Sequence, residues 1–156
     1  MERKTNVQAE EGKQYLVITR EFDLPVELLF KAHEDPEIVA QWMGTKVVKL
    51  ESHKNGAYRF ETSDPKGNVV FSAHGVFHEF IPNQKIVRTF EMENAGFDVQ
   101  LEFLEFEKLT EDSSRLTMFL IYKTPEHRAQ QLKMPFAYGI NMAHDRLQEV
   151  VSQLKK

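Results

Sequence analysis

The chain has 156 residues, with 20 Lys and Arg against 24 Asp and Glu for a net charge of −4, and is 41% apolar and 28% charged. That is ordinary globular usage in the size range of one domain, and it excludes a disordered tract or a collagen-like repeat. The scattered basic residues lack the footprint of a nucleic-acid partner, and the absence of cysteine excludes disulfides, thiol nucleophiles and thiolate metal sites.

Residues 1–13 are polar and without periodicity and read as a flexible N-terminal arm, with no apolar core for a signal peptide. The longest apolar run, Met118 to Tyr122, is far short of the ~20 residues of a membrane helix, so a cytoplasmic protein without a membrane partner is expected. From Gln14 the pattern turns strand-like, with Leu16, Ile18 and Phe22 alternating against Tyr15, Val17 and Thr19. Pro25 opens a short helix whose apolar face is Val26, Leu29, Phe30 and His33. Asp35-Pro36 pairs an N-cap with a first-turn proline before Ile38, Val39 and Trp42, and Gly44 ends that second helix.

Six strands are predicted next, over 46–53, 57–63, 69–80, 85–92, 97–108 and 114–123. Turn signals separate them, among them Asn55-Gly56, Pro82-Asn83 and Asn94-Ala95-Gly96. Connections this short favour antiparallel neighbours, and the sheet reads as a meander. Thr124-Pro125-Glu126 caps a helix that breaks near Lys133-Met134, before Pro135. Phe136, Ile140, Ala143, Leu147, Val150 or Val151, and Leu154 then form one long apolar stripe, which only the sheet is large enough to cover. The order is that of an α+β helix-grip fold: a curved antiparallel sheet wrapped around a long C-terminal helix, with two short helices after the first strand. Residues 14–156 read as a single domain of this kind.

Phenylalanine is over-used, with 12 copies against one tryptophan. Trp42, Tyr58, Phe60, Phe77, Phe90, Phe103 and Phe136 share inward parity and, with Ile140 on the helix wall, are the candidate cavity lining. His74 and Arg88 are the candidate polar contacts, although solvent is the favoured place for both, and Asp145-Arg146 suits ion pairs on the exposed helix side. No metal or other cofactor is expected. His74 and His78 would sit ~13 Å apart along a strand, too far to share one zinc ion. Glu105 and Glu107 lie at a charged strand end that suits solvent. No serine stands between flanking glycines, and no two glycines are two residues apart, so nucleophile elbows and dinucleotide loops are missing.

Several blocks resemble a known family. Residues 18–32, with Asp23-Leu24-Pro25 at their centre, are similar to its opening strand and helix. Asp35-Pro36 through Trp42-Met43-Gly44 resembles its next block, with Met43 where a second tryptophan is common. Gly75-Val76-Phe77-His78-Glu79-Phe80-Ile81-Pro82, Ser114 to Met118 and Asp145-Arg146-Leu147 resemble its later strands and closing helix, while Asn55-Gly56 replaces a frequent Gly-Gly. The family is that of the C-terminal domain of the activator of heat-shock protein 90 ATPase, in the START-like (SRPBCC) superfamily. The resemblance implies a helix-grip fold with a cavity and no shared catalytic set. A small hydrophobic ligand, lipid- or polyketide-like, is then the expected partner of a monomer or homodimer. The alternatives are a cyclase- or dehydratase-like enzyme, with His74 as its acid or base, and a chaperone-accessory protein of the stress response, which rests on the family name alone.

Overall fold

The alternation that begins at Tyr15 becomes strand β2 (Tyr15–Phe22), in which Leu16, Ile18, Arg20 and Phe22 are buried and the residues between them half-buried. The computed structural model describes residues 4–133 and 135–155. Helix α1 (Val26–Glu34) starts at Pro25 and buries Val26, Leu29, Phe30 and His33 on one side. Helix α2 (Pro36–Met43) is capped by Asp35, whose Oδ1 accepts from Glu37 N at 2.9 Å. It ends at Gly44, which takes the left-handed conformation at φ 64°.

Strands β3 (Lys46–Leu50), β4 (Ala57–Ser63), β5 (Val69–Ile81), β6 (Lys85–Met92), β7 (Gln100–Thr110) and β8 (Ser113–Ile121) follow as antiparallel hairpins. Asn55, Asn83 and Asn94 hold the left-handed turn positions, a conformation asparagine tolerates better than most residues. The six strands form a meander, but the whole sheet departs from chain order. Strand β2 lies beside β8, with Ile18 opposite Met118, so the first long strand flanks the last. The chain therefore crosses from one end of the eight-stranded sheet to the other between β2 and β3, and α1 and α2 carry it.

Part of the expected loose arm is ordered. Asn6–Gln8 is strand β1, paired with β2 at the sheet edge, with Asn6 opposite Thr19. Thr5 N donates to Asn141 Oδ1 at 2.9 Å, and Thr5 Oγ1 lies 2.8 Å from His144 Nδ1. Long-range polar contacts hold this segment, and a three-residue polar edge strand leaves no periodic trace.

Helix α3 (Pro125–Lys133) is followed by α4 (Phe136–Ser152) and a 3-10 turn, Gln153–Lys155. The break falls where Pro135 interrupts the helix, and Met134 lies outside the described residues. Helix α4 lies on the concave face of the curved, unclosed sheet. Its fully covered positions are His144, Leu147 and Val151; Phe136, Ile140, Ala143 and Val150 are partly buried, and Leu154 is exposed. The stripe is thus shifted toward His144 and loses its last member. Asp145 pairs with Arg20, which is buried on β2, at 2.8 Å, and Arg146 Nε donates to Trp42 O at 3.0 Å.

Candidate functional site

Between the concave sheet face and the helices lies a cavity of about 470 Å³. Its floor is built by residues that share inward parity on neighbouring strands. Strand β6 contributes Arg88, Phe90 and Met92, β8 contributes Met118 and Leu120, and Ile18, Phe60 and Phe71 come from β2, β4 and β5. Val39, Trp42 and Met43 on α2 and Phe136, Gly139, Ile140 and Ala143 on α4 form the walls. The Trp42 ring is fixed by its Nε1, which donates to Ala32 O at 2.7 Å.

A few polar side chains interrupt this apolar surface: Arg88, Gln100, Glu102, Gln131, His33 and His144. Arg88 Nε donates to Glu102 Oε1 at 2.8 Å, and Gln100 Nε2 donates to Oε2 at 2.7 Å, so both carboxylate oxygens are engaged. The Arg88 guanidinium also lies 5.5 Å from the centre of the Tyr58 ring. Burial is the largest single influence on Arg88 and works against its charge, but the Glu102 charge, Tyr58 and the hydrogen bond to Glu102 together outweigh it and raise the pKa above the ordinary arginine value. His33 Nδ1 donates to Leu29 O at 3.0 Å, which leaves Nε2 as its acceptor. Burial pulls the pKa of His33 down to about 4 and that of His144 to about 3, so both rings are neutral near pH 7.

Six buried side-chain polar atoms have no hydrogen-bond partner among the described residues, and five of them belong to Tyr122 and helix α3. They are Tyr122 Oη, both ring nitrogens of His127, Arg128 Nε and Gln131 Oε1. Helix α3 has no apolar stripe; it buries His127, Arg128 and Gln131 instead. Burial pushes the Tyr122 phenol above its ordinary value, and the Glu102 charge adds to the effect.

Of the residues singled out by pattern, Trp42, Phe60, Phe90, Phe136, Ile140 and Arg88 meet around this cavity. Tyr58 and Phe77 lie in the solid core beside it: Tyr58 Oη donates to Thr89 O at 2.5 Å, and the two rings meet in a tilted pair with centroids 5.1 Å apart. Phe103 is on the opposite face, 6.2 Å from Phe119, because β7 turns Glu102 and Leu104 inward. The apolar residues of Leu101-Glu102-Phe103-Leu104 suit either parity, and pairing with β8 decides it. His74 is also outside, where its Nδ1 lies 2.7 Å from Glu93. Arg59 holds that Glu93 carboxylate down to about pKa 2.

The pattern reading did not place Gln100, Glu102, Gln131, His33 or His144 at the cavity. A signal existed for the first two, since inward Leu116, Met118 and Leu120 lie on the strand next to theirs and so set the parity of β7. Glu105 and Glu107 are exposed, and Arg115 Nη1 donates to Glu107 Oε1 at 2.6 Å. No described helix is long and apolar enough to cross a membrane.

A family model described as Activator of Hsp90 ATPase homolog 1-like protein matches residues 23–152. No curated protein sequence matches the chain. Among solved structures, a protein of Rhodobacter sphaeroides is 21% identical with a TM-score of 0.82, covering 96% of this chain and all of its own. A Mycobacterium smegmatis protein is 18% identical with a TM-score of 0.83, covering 97% of this chain and 99% of its own. A solution structure from Arthrobacter aurescens reaches 0.84 at 18% identity over 95% of this chain and 91% of its own. At these identities the likeness establishes the fold.

Proposed function

As the chain belongs to the family of Activator of Hsp90 ATPase homolog 1-like proteins, a START-like family, we propose that it is a binding module for a small apolar or aromatic molecule. The ligand is lipid- or polyketide-like in build and sits between the sheet and α4. One observation carries this reading: about 470 Å³ lined by Phe, Met, Leu and Ile side chains with a few fixed polar groups. Pockets of ~300–1,000 Å³ with such linings are the usual size for drug-sized ligands. Binding rests on burial, with one or two polar contacts for orientation.

An enzymatic reading needs an acid or base inside the cavity. His74, the histidine first considered, is outside it, bonded to Glu93. His33 and His144 are inside, but with pKa values near 4 and 3 they are weak bases at neutral pH. Binding without chemistry is therefore the better reading.

Trp42 supplies the test, because it is the one tryptophan and stands at the cavity wall. Titration with flavonoids, sterols and polyketide-like aromatics is expected to shift its emission saturably, at one ligand per chain. Phe90→Ala should weaken the best ligand about tenfold. Phe103→Ala, on the other face, should leave its affinity unchanged. Unaltered emission and melting temperature across all classes would overturn the reading.

A further inference from the structure

Resting on that reading, we infer that the ligand is uncharged and ends in a hydrogen-bonding oxygen, a ketone or an alcohol, which Arg88 receives, while carboxylates are rejected. Arg88 spends only Nε on Glu102; beyond the contact of the guanidinium with the Tyr58 ring, its two terminal nitrogens have no hydrogen-bond acceptor among the described residues. The residue is part of the cavity floor. A guanidinium fork facing an apolar space holds several N–H donors that a ligand acceptor can satisfy.

The charge balance sets the kind of acceptor. Arg88 and Glu102 cancel, and Gln100 occupies the second carboxylate oxygen. The other titratable groups of the lining, His33 and His144, are kept neutral by burial. The lining thus has no net charge. A carboxylate entering it would lose its hydration and find an arginine already neutralised, whereas a ketone accepts from the same donors without that loss. A hydroxyl oxygen accepts from the same Arg88 donors, so an alcohol is accommodated as well as a ketone.

The test is calorimetric titration of the full chain, at neutral pH, with four naphthalenes substituted at one ring position: ethyl, acetyl, hydroxymethyl and carboxylate. The acetyl and hydroxymethyl compounds are expected to bind about tenfold more tightly than the ethyl compound. The carboxylate is expected to bind at least about tenfold more weakly than the acetyl compound. Equal binding of ethyl and acetyl, or tightest binding of the carboxylate, would overturn this inference and leave the cavity reading standing. Silence from all four would overturn both.

The double variant Arg88→Met with Glu102→Gln removes the donor fork without stranding a charge. It should abolish the preference for acetyl over ethyl while ethyl affinity persists; a preserved preference would overturn the assignment to Arg88. If the double variant does not fold, the four-ligand series on the unaltered protein decides the matter by itself.

Discussion

Beneath α1 the space between helix and sheet is filled with rings, whereas beneath α2 and the first half of α4 it is left hollow, and side-chain chemistry accounts for the difference. In the filled region Phe30 is 1% exposed and meets Phe80 at 5.3 Å and Phe106 at 4.9 Å, both edge-to-face. Phe77 continues the array to Phe80 and Tyr58. Tilted and edge-on rings fill gaps that parallel stacks would leave. In the hollow region α4 offers Gly139 and Ala143, too small to reach the floor. The floor carries Arg88, Gln100 and Glu102, which bind one another and cannot collapse into an apolar interior.

Truncation should separate the two regions most sharply. Phe30→Ala is expected to cost about 3–5 kcal/mol in urea denaturation, because it empties a filled site. A loss of less than about 1 kcal/mol would mean that this region is loosely packed too.

Acid should act next, through the buried imidazoles. Their folded pKa values lie below the ordinary 6.5, so below about pH 6.5 the unfolded chain binds more protons than the folded one. Stability is therefore complete above that pH and falls as pH drops toward 4, where His33 itself titrates. The loss from His33 is on the order of 3 kcal/mol. A denaturation midpoint that stays flat over that window would show that the rings are not buried in neutral form.

Gly75 sharpens the comparison from the filled side. A Cβ there would stand 2.0 Å from Thr89 O and 2.6 Å from Tyr58 Oη. Gly75→Ala should cost about 1–3 kcal/mol by melting, through displacement of the β6 backbone at Thr89 together with the Tyr58 ring. An unchanged melting temperature would mean that β6 and Tyr58 both have room to move.

Phe136→Ala should have the smallest effect on stability, about 1 kcal/mol or less, since this half-buried ring already borders empty space. Its effect should appear in binding instead, as an about tenfold loss of affinity for an apolar ligand. A large stability loss with unchanged affinity would reverse the assignment of the hollow region.

Much of the fold is legible from local rules. Asp35-Pro36 and Gly44 bound α2, the left-handed asparagines mark hairpin turns, and β4 and β6 match the predicted 57–63 and 85–92. The readings that fail are those in which distant partners outvote the local pattern. Phe103 points outward because pairing with β8 sets the register of β7, and Asn6–Gln8 becomes a strand because β2 offers it an edge. Arg88 is turned inward with Phe90, although an isolated arginine would prefer water, because Glu102 waits on the neighbouring strand. No rule of spacing within one segment finds a partner fourteen residues away.

The sequence by itself determined the element order, the family blocks and the amphipathic faces, since these depend on dihedral preferences and on periods of two and 3.6 residues. Tertiary structure alone decided which rings pack solidly and which border a hollow, and it collected Arg88, Gln100, Glu102, Gln131, His33 and His144 around one space. Parity assigns a side chain to a face. Whether that face is filled or open depends on the volume and hydrogen-bond partners supplied by residues far away in the chain.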